Sequence, residues 1–216
     1  MTSHLTDSKK RTYIDLFAGC GGLSLGLGNA GWEGVFAVEK DAMAFATFKH
    51  NLIQGTHAHF NWPSWLPQKE TTIQTLLKNY QKELLSLKGS VDLIAGGPPC
   101  QGFSVAGKMD PNDERSQLIW SFMTAVETVQ PKAFVMENVK SLATLSKFSE
   151  IRQRLFWLAH KMGYSFDLCV LNSKDFGVPQ SRERMFFIGV KNDFSFSFDT
   201  IAKSFKCAER NVRSVI

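Results

Sequence analysis

Short apolar runs alternate with segments of helical period along most of this chain, and that alternation restricts the fold more than any other feature. Thr12 to Phe17, Gly34 to Val38, Val91 to Ala95, Ala133 to Met136, Phe166 to Leu171 and Arg184 to Val190 read as buried strands, with a weaker candidate at His57 to Phe60. Gly22 to Ala30, Ala42 to Asn51, Thr71 to Leu87, Ser116 to Val129 and Phe148 to Met162 read as the helices between them. Strands apolar on both faces and separated by helices predict an α/β fold, a doubly wound, mostly parallel sheet with helices on both faces. Only Asn172 to Ser181 joins the last two strands, which is too short for a parallel crossover. The last strand is therefore expected to run antiparallel. The phenylalanine-rich stretch Phe186 to Phe198 is expected to combine a buried strand with an edge.

With 216 residues, 44% of them hydrophobic, the chain is long enough for one domain with a substantial core. Residues 12–190 are expected to form it, between a polar tail (1–11) and an extension (191–216). No apolar run is long enough to cross a bilayer and the first residues are polar, so no membrane association and a cytoplasmic location are expected. Cys20, Cys100, Cys169 and Cys207 lie far apart with no CxxC pair, which argues against a zinc site or a disulfide framework. No metal is expected. The net charge is +5, and from Ser181 onward seven Lys/Arg against four Asp/Glu leave +3 of it at the C-terminal end. That balance suits a nucleic-acid partner without requiring one.

Directly after the third strand comes GGPPCQGFS, Gly96 to Ser104. Two glycines permit a sharp turn and two prolines fix φ, so Cys100 is presented at a defined angle, as a nucleophile needs. A lone cysteine is ordinarily a small buried hydrophobe, and these flanks are what reverse the reading. Glu137 ends the next strand and is brought to the same crevice by the switch-point rule. Arg182 and Arg184 precede the last strand and offer planar forks for a phosphate or a carbonyl.

A second site is written into Asp15 to Ser24, where Asp15, Phe17, Ala18, Gly19, Cys20, Gly21, Gly22 and Leu23 span the turn from first strand to first helix. Glycines there let a ligand approach backbone amides. Glu39 ends the following strand, where an acidic residue binds both hydroxyls of a ribose. Ser24 stands where a dinucleotide fingerprint has its third glycine, so a nucleoside without a pyrophosphate is the better fit.

These blocks together resemble the DNA (cytosine-5) methyltransferases: DLFAGCGGLSLG at Asp15 to Gly26, GGPPCQGFS, ENV at Glu137 to Val139 and QSRERMFFIGV at Gln180 to Val190. The match covers about residues 12 to 190. The resemblance implies a Rossmann-like, class I S-adenosylmethionine-dependent fold and S-adenosylmethionine as cofactor, with S-adenosylhomocysteine as product. It implies contacts from the glycine loop, from Glu39, from Gly97 and Pro98, and from Asn61 beside Trp62, where the family has an aspartate near the adenine. It further implies that Cys100 adds to carbon 6 of a flipped cytosine while Glu137 holds ring nitrogen 3. Arg184 would bind the carbonyl, supported by Arg182. Gln101, Ser104, Lys108 and Arg115 would meet DNA on a closing loop.

Single-chain members of the family continue past the last strand into a target-recognition region and two further motifs. The expectation is therefore the catalytic subunit of a split modification enzyme, of the kind found in restriction–modification systems, with double-stranded DNA and a second polypeptide as partners; a truncated form without a partner is the competing explanation. The alternatives are an RNA cytosine-5 methyltransferase and a catalytically silent regulatory homologue.

Overall fold

The computed structural model describes residues 10–99, 117–191 and 196–214. Strands β1 (Thr12–Leu16), β2 (Glu33–Val38), β3 (Leu93–Gly96), β4 (Ala133–Val139), β5 (Ser165–Asn172) and β6 (Glu183–Val190) form a six-stranded sheet in the order β2-β1-β3-β4-β6-β5. β2, β1, β3 and β4 pair in parallel, and β6 pairs antiparallel with both β4 and β5. β6 is thus an interior strand, in agreement with the buried strand expected at the start of Phe186 to Phe198, and β5 is the edge beside it.

The helices are α1 (Gly22–Asn29), α2 (Ala42–Phe48), α3 (Ile73–Asn79), α4 (Gln81–Ser86), α5 (Gln117–Val129), α6 (Lys140–Thr144), α7 (Ser149–Lys161) and α8 (Phe198–Lys203). In α5, Ile119, Phe122, Met123, Val126 and Val129 recur at three- and four-residue spacing and are all buried. They join Ile14, Leu16, Ile94, Phe134, Met136 and Phe187 of the sheet in the main core. Each large side chain so buried contributes on the order of 1.5–3 kcal/mol, which makes the sheet a rigid frame for the loops at its ends.

Three segments depart from the periodic reading. The helix expected over Thr71 to Leu87 breaks at Tyr80 (φ −122°, ψ 29°), whose ring packs on Trp65. The helix from Ala42 continues past Phe48 as a π-helical turn, Lys49–Ile53. His57 to Phe60 makes only an isolated bridge from Phe60 to Gly34.

Strand order reverses between β1 and β3, and sheets of this kind open a crevice at the carboxyl ends of the strands where that happens. Residues after β1, β2 and β3 and at the end of β4 therefore meet. β6 runs the other way, so its first residues reach the same end, with Arg184 opposite Val139 and Phe186 opposite Glu137. Beyond β6, Asp167 accepts from the Phe198 N–H (2.7 Å), Lys206 pairs with Asp175 (2.7 Å) and Lys174 with Glu209 (2.9 Å). These contacts fasten the C-terminal segment to β5 and to the β5–β6 connection. Among the described residues no helix is long and apolar enough to cross a membrane, and no group of three or more His, Cys, Asp or Glu is placed to hold a metal.

Candidate active site

The turn after β1 is strained where it meets a cavity. Phe17 (φ 64°), Gly19 (φ 55°) and Gly21 (φ 97°) are all left-handed, and for phenylalanine that conformation is costly. The Phe17 ring lines a cavity of about 320 Å³ together with Val38, Glu39, Ile73, Gly97, Pro99 and Leu118. Only glycine serves at position 21, because a Cβ there would run into Leu52 and Phe48 of the π-helical turn and α2. Behind the turn lies Asp15, buried, with its carboxylate accepting from the Ser24 hydroxyl (2.6 Å) and, more weakly, from the Ser24 amide. Its Oδ1 has no partner, and burial pushes its pKa up to about 7 against the pull of the Ser24 hydroxyl. Asp15 therefore ties the two ends of the glycine turn together and does not line the cavity.

Glu39 closes the floor of that cavity. Its carboxylate accepts the Gly19 N–H and the Asp41 N–H, each at 2.8 Å, and a carboxylate has about four acceptor positions, so two remain for a vicinal diol. The Thr71 N–H donates to the Glu39 carbonyl (2.7 Å), which brings the start of α3 to the wall. Largely apolar walls, one acidic floor and a buried serine in place of a phosphate-binding glycine fit a nucleoside such as that of S-adenosylmethionine.

On the other side of the β3 turn stands Glu137. Its Oε1 lies 3.0 Å from Arg184 Nε, and its Oε2 lies so near Gly97 that a Cβ there would come within 3.2 Å. Burial raises the Glu137 pKa, while the charges of Arg184 and then Arg182 oppose that rise. The neighbouring Asn138 is buried and donates from Nδ2 to the Pro98 carbonyl (3.1 Å), holding the turn that leads to position 100. A second, wider cavity of about 550 Å³ opens beyond Arg184, lined by Val139, Lys140, Ser141, Arg182 and Glu183 among others.

The sequence model of the family described as C-5 cytosine-specific DNA methylase matches residues 11–216. This chain belongs to that family. The Type II methyltransferase M.DdeI of Desulfomicrobium norvegicum is 39% identical over 184 residues, covering 83% of this chain and 40% of that protein. M.AquIA, a Type II methyltransferase of Picosynechococcus sp., is 35% identical over 88% of this chain and 75% of its own length. Among solved structures, a DNA modification methyltransferase encoded within an E. coli prophage is 34% identical with a TM-score of 0.69, over 88% of this chain and 50% of that one. The methylase chain spans about half the length of most curated relatives it matches.

Of the residues expected at the methylase sites, the structure gathers Phe17, Glu39 and Gly97 around the first cavity and Arg184 and Arg182 around the second, with Glu137 between the two, paired to Arg184 and beside Gly97. Gly19 takes part through its amide. Ala18 is buried with its N–H on the Val38 carbonyl, and Cys20, Gly22 and Leu23 are exposed outside the lining. Pro98 is buried, and Pro99, which sequence reasoning passed over, lines the wall in its place. Asn61 and Trp62 are not brought into the cavity: the Asn61 N–H pairs with Gly34 near the amino end of β2, and Trp62 packs on Phe45 and Phe60. Cys100, Gln101, Ser104, Lys108 and Arg115 lie outside the described residues. Leu118, Thr71 to Gln74 and Asn138 were also missed. For Asn138 a signal existed, since a polar residue at a buried alternate position of a strand must find partners.

Proposed function

We propose that this methylase chain transfers a methyl group from S-adenosylmethionine to carbon 5 of cytosine in duplex DNA, working with a second polypeptide that reads the target sequence. The position of Glu137 carries the reading. One oxygen lies against Gly97, in the wall of the nucleoside-sized cavity, and the other against Arg184, in the wall of the wider one. A carboxyl group held there, with its pKa raised by burial, suits a hydrogen bond to ring nitrogen 3 of a base entering from the wide side.

When bound, S-adenosylmethionine supplies an electrophilic methyl group and leaves as S-adenosylhomocysteine. Phe17, Glu39, Gly97, Pro99 and Leu118 would hold it. The Cys100 thiolate forms a bond to carbon 6, and the π pair of the ring moves toward carbon 5 while Glu137 holds a proton at nitrogen 3. Carbon 5 takes the methyl group. Loss of its proton then restores the ring double bond and releases the thiolate. Arg184 binds the carbonyl, and Arg182 keeps the Glu137 environment positive. Extruding the base costs about a few kcal/mol, which loop and phosphate contacts must offset. The glycine turn and Gly97 to Pro98 belong to the cofactor side, and Gln101, Ser104, Lys108 and Arg115 to the DNA side.

Residues 12–190 act as the catalytic domain in this reading, and the C-terminal segment as the junction to the partner. Supporting it, Ile201, Phe205 (71% exposed) and Val212 point outward from that segment, with Val178 exposed on the adjoining connection. The relative M.AquIA, covered to 75%, is itself not much longer than this chain. The test is tritiated methyl transfer to duplex DNA and to transfer RNA by the purified chain, alone and with a second polypeptide from the same source. Transfer to DNA only in the mixture, abolished by Cys100→Ala, is expected. Full activity of the chain alone refutes the partner, and label entering only RNA refutes the substrate.

A further inference from the structure

Arg184 holds Glu137 through Nε and the Glu183 carbonyl through Nη1 (2.8 Å). In the proposed function its remaining N–H groups face the base carbonyl, which leaves the neighbouring phosphate to another cation. The wide cavity has two other cations on its lining, Arg182 and Lys140. Lys140 directly follows β4 and reaches across to Glu183, donating to both carboxylate oxygens at 2.8 and 3.0 Å. Both partners are about half exposed (47% and 46%), so water screens the pair and its exchange for another anion is cheap. Two oxygens facing one ammonium is also the arrangement a phosphate diester offers.

From this geometry we infer that Lys140 is a DNA contact, binding a backbone phosphate beside the flipped nucleotide, and that Glu183 occupies the phosphate's place until DNA arrives. This rests on the proposed function. A base held by Glu137 and Arg184 leaves its sugar and phosphates to pass out through the wide cavity, and Lys140 lies on that route. Binding breaks the Lys140–Glu183 pair and forms a Lys140–phosphate pair, with no change in proton count. Arg182 stays beside Glu137, whose titration it already influences.

The experiment is fluorescence anisotropy of a labelled duplex oligonucleotide against the wild-type chain, Lys140→Gln and Lys140→Arg, in 50 to 200 mM KCl. S-adenosylmethionine binding by each variant serves as the check on folding. One lost phosphate contact lowers the slope of log affinity against log salt by about 0.9, so the advantage of wild type over Lys140→Gln should shrink about 3.5-fold across this range. Lys140→Arg should keep the wild-type slope. A Lys140→Gln slope equal to wild type, with affinity unchanged or uniformly lower, overturns the inference and leaves the function standing. A wild-type chain with no salt-dependent affinity for duplex DNA, alone or with the second polypeptide, overturns both.

Discussion

Replacing Asp15 by Asn tests whether the cofactor turn is held by a carboxyl group that resists ionisation. The group is buried, its Oδ1 lacks a partner, and its pKa is raised from 3.8 to about 7. A raised folded-state value means that the folded chain holds a proton the unfolded chain has lost. Its contribution is fully present below pH 3.8 and declines as pH rises to about 7. The slope between those values is about 1.4 kcal/mol per pH unit, and by linkage wild type loses on the order of 2–3 kcal/mol between pH 5 and pH 8 from this residue alone. Asn does not titrate, so the difference in unfolding free energy between wild type and Asp15→Asn should change by that amount over the same interval. Urea melts at pH 5, 6, 7 and 8 read it directly. A difference that stays constant across the series would refute the assignment, as would one that moves in favour of wild type at high pH.

Four further substitutions separate the roles assigned around the two cavities. Glu137→Gln should lower kcat by about 10²- to 10⁴-fold without weakening S-adenosylmethionine binding, as read by single-turnover methylation and calorimetry. Arg184→Leu removes the main charge opposing burial, so carbon-13 NMR should find Glu137 titrating at higher pH than in wild type; a lower value contradicts the pairing. Gly97→Ala places a methyl 3.2 Å from Glu137 Oε2, and kcat should fall about tenfold while the melting temperature barely moves. Glu39→Gln should weaken cofactor affinity by about 10- to 100-fold, the effect of losing charged hydrogen bonds; unchanged affinity by calorimetry rules Glu39 out as the ribose ligand.

Which parts could be read from residues alone follows from the range of the forces involved. Strands such as Leu93–Gly96, and α5 with its recurring Ile119, Phe122 and Val126, are set by burial patterns within one segment, and these were legible. The break at Tyr80 depends on Trp65, fifteen positions away, and leaves no local mark. α6 has five residues, too few for any period to show. The same division runs through the site. Glu39 and Glu137 end strands, so strand order alone brings them to the crevice. Asn61 was placed by analogy with a family aspartate, whereas its backbone is bound to Gly34 at the far part of β2. Asp15 was assigned to the ligand because it opens the glycine motif; its pairing with Ser24 turns it inward, and a motif cannot say which of its members face the ligand.

The antiparallel strand is what makes the second cavity possible. β4 has seven residues, and at about 3.3 Å per residue its ends lie about 20 Å apart. Had β6 joined the sheet in parallel, its first residues would stand beside Ala133, and Arg184 would be about 13 Å along the sheet from Glu137, four residues on. Reversal instead sets Arg184 opposite Val139 and its guanidinium 3.0 Å from the Glu137 carboxylate. The short connection from Asn172 to Ser181 enforces the reversal, since it is too short for a crossover helix, and Asn172 secures it by accepting the Arg182 N–H (3.1 Å). Asn172→Ala should therefore weaken activity through Arg182 and Arg184 while leaving cofactor affinity intact. Equal losses of both in calorimetry and methyl transfer would mean that the connection supports the whole sheet and not the arginine end of it.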